Sequence, residues 1–133
     1  MPRKMTRANQ SGPFEDRSIL FASDSERHGS HMHRAMEEQG LTVEYAGDYS
    51  RVDSRLKERR YAMVLLEVTG EHAVEPAVAA ALNVKRSNAE QFVGYLADAN
   101  LDTSGLAGDA VLPRSGAKLK ERLRQYFAEG QQG

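Results

Sequence analysis

Two carboxylates stand where a parallel α/β sheet would carry out chemistry. Glu67 directly follows the apolar run 63–66, and Asp24 follows the apolar run 19–22 and Ser23. Ligands of such sheets collect at the carboxyl ends of the strands, so both acids are expected at that edge. Their oxygens could hold Mg²⁺ or Ca²⁺ weakly.

Three histidines, His28, His31 and His33, lie close together on one predicted helix. Only His28 and His31 are spaced to share a helix face, and the apolar pattern places His28 on the inner side. A zinc site needs several converging ligands, and the chain has no cysteine to supply one. The sequence therefore predicts no histidine metal site.

The composition is that of one globular domain without a strong charge of either sign. The chain has 133 residues, 28% of them charged, and a net charge of −1. This length can bury a core, and the balanced charge commits the chain neither to nucleic acid nor to a membrane surface. No apolar run approaches the roughly 20 residues that span a bilayer. The absence of cysteine fits a reducing compartment, so we expect a cytoplasmic protein.

Strand and helix patterns alternate along most of the chain. The predicted strands are 18–23, 41–46, 61–68, 91–96 and 109–112, and the predicted helices are 25–39, 51–60, 74–83 and 116–128. This alternation predicts a doubly wound parallel sheet with helices on both faces. Turn residues crowd 98–105, so a helix between the last two strands is expected to be shortened.

The domain limits follow from the same patterns. Residues 1–17 are polar and interrupted by Pro and Gly, and they are predicted to form a flexible N-terminal arm. Residues 18–128 form the domain, and 129–133 form a C-terminal tail. Asp24 or Ser25 is expected to cap the first helix, which Gly40 would stop. Its inward stripe is predicted to consist of His28, Met32, Ala35 and Met36.

The order of elements resembles the receiver domain of bacterial two-component response regulators, over 18–128. The stretch 19–24 looks like the family's first strand with its paired acids, and 108–114 looks like its fifth strand and the Lys-Pro pair that follows. Glu67 stands where receivers place the phosphoacceptor aspartate, and no insertion or deletion is needed between residues 19 and 67. The resemblance implies a flavodoxin-like, five-stranded parallel sheet with strand order 2-1-3-4-5.

Departures from the receiver pattern fall on the positions that carry phosphoryl transfer. The acid pair reads Ser23-Asp24, which removes one anionic ligand of Mg²⁺, and Glu67 is one methylene longer than aspartate. Phosphoryl transfer depends on positioning and charge compensation. The sequence therefore predicts a non-catalytic pseudo-receiver, with no metal and no cofactor. By resemblance, the other altered positions are the hydroxyl position Leu96, the switch aromatic Val111 and the phosphate-binding position Arg114.

Glu67 itself allows three interpretations. It could form a structural ion pair with Arg114, which would satisfy both groups without phosphate. It could act as a permanent mimic of a phosphorylated aspartate. It could also be a solvated carboxylate without a role.

The last predicted helix carries basic residues beside an apolar stripe. In receivers, the face formed by the fifth strand and the flanking helices is the usual docking and dimerisation surface. The resemblance therefore implies a protein partner or a homodimer at this face, with neither a membrane nor a nucleic acid as partner. The expected contact residues are Val111, Lys118, Arg122 and Arg124.

Two rival functions stay open from the residues alone. The stretch 78–96 also resembles a helix-turn-helix, which would make 91–96 helical and the protein a DNA reader. The β-forming residues and the internal Gly94 argue against that helix. A functional phosphoacceptor response regulator is the other rival, because a group other than aspartate could in principle be modified.

Overall fold

The computed structural model describes residues 18–98 and 109–132, and side chains as far as residue 125. Within these ranges, five strands and four helices succeed one another. The strands are β1 (Ile19–Ser23), β2 (Val43–Gly47), β3 (Met63–Val68), β4 (Phe92–Ala97) and β5 (Ala110–Leu112). The helices are α1 (Glu26–Glu38), α2 (Val52–Glu58), α3 (Val74–Ser87) and α4 (Gly116–Gln132). Short 3₁₀ turns at Tyr49–Arg51 and Glu71–Ala73 lead into α2 and α3.

The five strands form one parallel sheet in the order β2-β1-β3-β4-β5. This is the predicted fold class and strand order. Its register places Ser23 beside Glu67, and Glu67 beside Leu96, at the carboxyl ends of three neighbouring strands. Three of the five predicted site residues therefore lie in one row across the sheet.

Both faces of the sheet are covered by helices, which is why β3 is buried along its whole length. Val64 and Leu66 point into the core under α2 and α3. Met63 and Leu65 point into the core under α1 and α4. Glu67 continues the second set, because strand side chains alternate between faces with a period of two.

Several element limits differ from those predicted. Helix α3 continues to Ser87, and α4 continues to Gln132, beyond the predicted domain limit at 128. Helix α2 is shorter than predicted and begins at Val52, after a 3₁₀ turn. The predicted arm at 1–17 and the shortened helix at 98–105 lie outside the described residues, apart from residue 98.

At the start of α1, one of the two predicted N-cap candidates is confirmed, and the predicted inward stripe is wrong at His28. Ser25, and not Asp24, is the N-cap, since its hydroxyl accepts a hydrogen bond from the His28 backbone. His28 is exposed, and Gly29 occupies the buried position beside Met32. A Cβ at Gly29 would lie 2.2 Å from Tyr45 Oη and 2.8 Å from Ser23 Cβ. Glycine therefore allows α1 to approach β1 and β2 closely.

The helix-turn-helix alternative is wrong. Residues 92–97 form β4, paired with β3 on one side and β5 on the other, so no recognition helix exists there. The aromatic and β-branched residues of this stretch fit a pleated, half-buried surface better than a helix. None of the helices in the described part of the chain is long and apolar enough to cross a membrane.

Candidate functional site

Glu67 lies near the end of the central strand and is almost completely buried, with 1% of its surface exposed. Each of its carboxylate oxygens has a donor. Ser23 Oγ donates to Oε1 over 2.7 Å, and Arg114 Nε donates to Oε2 over 2.8 Å. The ion pair predicted from the sequence is thus present, and the carboxylate has a counter-charge inside the protein.

Arg114 reaches this position from the residues that follow β5. Its side chain is 15% exposed, and its Nη1 donates to Asp98 Oδ2 over 2.7 Å. Burial alone would lower the pKa of Arg114, but the hydrogen bond and charge of Glu67, together with Asp98, raise that pKa above its ordinary value. Arg114 therefore links the ends of β3 and β4 and stays charged.

Asp24, the second predicted acid, is held by residues that the sequence did not indicate. Its side chain is 9% exposed and accepts hydrogen bonds from both the backbone N–H (2.9 Å) and the hydroxyl of Thr69. His72 Nε2 lies 3.1 Å from the same carboxylate. The only signal for these contacts was the Thr-Gly turn directly after β3, on the edge that Asp24 faces.

Tyr49 closes the site from the turn before α2. Its hydroxyl donates to the Glu67 backbone carbonyl over 2.5 Å. Burial, followed by the nearby charges of Asp24 and Glu67, raises the pKa of Tyr49 far above its ordinary value. The phenol therefore stays protonated as a donor. A lone tyrosine in a predicted loop gave no sequence signal for this role.

The donor set does not fit the Mg²⁺ that receivers use. Both carboxylate oxygens of Glu67 accept hydrogen bonds, from Ser23 and Arg114. The Asp24 carboxylate contacts Thr69 and His72. A guanidinium already supplies the positive charge that a divalent cation would bring. In the part of the chain that the structure describes, no group of three or more His, Asp or Glu side chains is arranged to hold a metal ion.

The remaining predicted residues are divided between core and surface. Leu96 is fully buried next to Glu67 in the sheet and offers no hydroxyl. Val111 is half-buried on β5. Lys118, Arg122 and Arg124 are exposed on α4, whose buried side carries Leu119 and Leu123.

Known structures with a similar backbone are receiver domains for the most part. The receiver domain of Francisella response regulator 1452 superposes with a TM-score of 0.67 at 16% identity, covering 86% of this chain and 99% of that one. An atypical orphan response regulator, described as having a phosphorylation-independent regulatory mechanism, gives 0.58 at 15% identity, covering 80% and 95%.

A cobalamin-binding protein from Desulfitobacterium hafniense DCB-2 is similar as well, with a TM-score of 0.67 at 14% identity. The match covers 85% of this chain but 60% of that one, so this chain spans less than two thirds of its length. No family model matches the sequence, and no curated protein matches it. Likeness at these identities concerns the backbone, and the described chain has the fold of CheY-like response regulator receiver domains.

Proposed function

We propose that this protein is a non-catalytic pseudo-receiver, a protein–protein interaction or signalling module that is not phosphorylated in the usual way. The main support for the proposal is that the Glu67 carboxylate is already bound by other side chains of the protein. Both oxygens of its carboxylate are hydrogen-bonded, one of them to a guanidinium. An acceptor carboxylate must present a free oxygen to the phosphoryl group, with cations positioned to compensate the developing charge.

The cost of opening this arrangement supports the same conclusion. To expose a Glu67 oxygen, the protein would have to break the contact with Arg114 or with Ser23 inside a nearly closed site. Losing the neutral Ser23 donor costs about 1–3 kcal/mol, and leaving the buried charge without Arg114 costs about 3–5 kcal/mol. Either penalty would add to the barrier of any transfer to Glu67 and would slow it.

A second candidate role is supported by the kind of partners that Glu67 has. Its buried negative charge accepts one bond from a hydroxyl and one from a cation, as a phosphoryl group on an aspartate could. Glu67 would then hold the domain permanently in one signalling state. In that case Glu67→Gln would change partner binding, whereas a purely structural pair would change stability alone.

The other parts of the proposal concern where the module acts and with what. We infer a bacterial, cytoplasmic protein that binds a protein partner, either another signalling protein or a second copy of itself. The contact surface in this proposal consists of Val111 and the exposed basic residues Lys118, Arg122 and Arg124.

Incubation with acetyl phosphate and Mg²⁺ tests the phosphorylation part directly. Intact-protein mass spectrometry should show no gain of a phosphoryl group, while a phosphorylatable receiver treated in parallel shows one. The Glu67→Gln variant serves as the matched control for adducts elsewhere. A phosphoryl adduct that maps to Glu67 or Asp24 in the unmodified sequence would overturn the proposal.

A further inference from the structure

A cleft of about 310 Å³ lies at the opposite end of the strands from Glu67, between the carboxyl-terminal ends of α2 and α3. Its apolar surface comes mainly from Leu56, which is partly buried, because Val84 is almost completely buried. Lys57, Arg59 and Arg60 stand around it. Because it lies at the amino ends of the strands, it shares no residue with the site described above, and it does not depend on the proposed function.

Two of the three cations of this cleft have no ion-pair partner among the described residues. Neither Lys57 nor Arg60 forms an ion pair or hydrogen bond with any residue that the structure describes. Asp53 is the one carboxylate in the lining. Arg59 lies 4.0 Å from Glu44, so Lys57 and Arg60 against Asp53 leave an excess of one positive charge around the opening.

Arg59 is held in place from below. Its guanidinium lies 5.0 Å from the ring centre of Tyr61, and its Nη2 donates to Ser18 Oγ over 3.3 Å. Glu44 is 4.0 Å away and offsets part of its charge. Such a fixed guanidinium loses little conformational freedom when it binds a ligand.

The positive charge of the cleft is larger than the helix ends beside it would need for compensation. The carbonyl end of a helix carries about half a negative charge, and cations in the last turn commonly offset it. Helix α3 already has Lys85 and Arg86 in its last turn. Because these two cations offset the end of α3, only the half charge at the end of α2 counts against the cleft, and its lining stays positive.

Two neutral groups add hydrogen-bonding capacity to the same rim. The Asn88 side-chain oxygen accepts a bond from the Glu90 backbone over 3.1 Å, which leaves its amide hydrogens for a ligand. Ser87 also lines the cleft, and it makes no side-chain hydrogen bond within the described ranges. A ligand here would meet several donors around an apolar floor.

We propose that this cleft binds a small phosphate ester, with the phosphate between Lys57 and Arg60 and its apolar body on Leu56. An arginine fork and a lysine ammonium are the side chains that recognise phosphate best. The volume is at the lower end of the range for small-molecule sites, about 300–1,000 Å³. A compact ester fits this space.

Titration of the full chain with phenyl phosphate, followed by backbone amide chemical shifts, tests the inference. The shifts should cluster at Lys57, Arg60, Ser87 and Asn88, and the affinity should fall as ionic strength rises. Inorganic phosphate should bind more weakly, because it cannot use the apolar floor. Equal affinity for both probes would overturn the ester assignment, and shifts scattered over all basic residues would overturn the site.

A matched pair of double variants separates the cleft from general positive charge. Lys57→Gln with Arg60→Gln should weaken phenyl phosphate binding about tenfold or more. Arg27→Gln with Arg34→Gln removes the same charge from the exposed side of α1 and should leave the affinity unchanged. All four side chains are exposed, so both proteins should fold. Equal loss in the two variants would contradict the site.

Discussion

A carboxylate as deeply buried as Glu67 needs both a counter-charge and hydrogen-bond donors, and two residues distant in sequence provide them. Arg114 supplies the charge and one bond, and Ser23 supplies the other bond. The contributions differ, because a lost neutral donor costs about 1–3 kcal/mol and an unpaired buried charge costs more. Removing Arg114 should therefore destabilise the fold more than removing the Ser23 hydroxyl.

We expect Arg114→Ala to lower the free energy of unfolding more than Glu67→Gln. The first change leaves Glu67 charged and buried, at a cost of about 3–5 kcal/mol. The second keeps a hydrogen-bonding group beside Ser23 and Arg114, and Arg114 retains Asp98 as a partner. Urea unfolding of both variants and of the double variant measures the coupling. A coupling energy of zero would show that the ion pair contributes nothing.

How far the site could be predicted depended on where each residue lies. Glu67 and Arg114 follow recognisable strands, and strand order alone brings such positions to one edge of the sheet. Asp24 was assigned to a helix cap, because its bonds to Thr69 and His72 cross 45 and 48 residues of sequence. Loop geometry decides contacts of that kind, and residue spacing carries little information about it.

At the scale of elements, the edge strand β2 is tied to its neighbours through Glu44. Tyr61 Oη donates to this carboxylate over 2.5 Å, and Arg55 bonds it from α2. The Tyr61 hydrogen bond is the main cause that holds the pKa of Glu44 below its ordinary value; partial burial opposes it, and Arg55 and Arg59 add to the lowering. Edge strands need such ties, because one side of each lacks a pairing strand.

Replacing Tyr61 by phenylalanine should raise the pKa of Glu44 towards its ordinary value. Because that pKa is lower in the folded state, Glu44 contributes stability above its ordinary pKa and loses it as the pH falls through the folded value. Tyr61→Phe should therefore weaken the acid dependence of unfolding. Carboxyl-carbon NMR titration measures the pKa, and Tyr49→Phe, whose hydroxyl contacts another strand, should leave it unchanged.

Helix α1 provides a second test at this scale. Gly29→Ala places a Cβ against both Tyr45 and Ser23, so the helix would have to move away from the sheet. Overpacking of this kind typically costs about 1–3 kcal/mol. Ser30→Ala, on the exposed side of the same helix, should leave stability nearly unchanged or increase it. Equal unfolding midpoints for the two variants would contradict the close approach.

The elements themselves were more predictable than their ends. All five strands were predicted, because short apolar runs bounded by turn residues are a strong sequence signal for strands. The end of α3 was placed at residue 83, four residues early, because Lys85 and Arg86 look like a solvated loop until packing is known. His28 was placed inside because helical spacing alone could not show that Gly29 makes the closer contact.

For the whole molecule, the candidate docking face on α4 and the site around Glu67 can be tested separately, because different charged residues form them. Lys118→Glu with Arg122→Glu should reduce the capture of a partner from source-cell lysate, since both residues are exposed on α4. Asp24→Asn with Glu67→Gln should leave capture nearly unchanged. Sedimentation velocity on the same proteins tests a homodimer. The opposite pattern, with capture lost only in the amide variant, would place the partner at the occupied site.

The mutual bonding of Ser23, Glu67 and Arg114 also restricts which sequences can be reached by one substitution at a time. Ser23→Asp would set a second carboxylate against Glu67, with one guanidinium to serve both. Glu67→Asp would draw the oxygens away from both donors, and Arg114→Lys would give up the fork. Every single step towards an acid-rich receiver site thus passes through a less stable protein. We expect the three residues to persist or to change together during evolutionary drift.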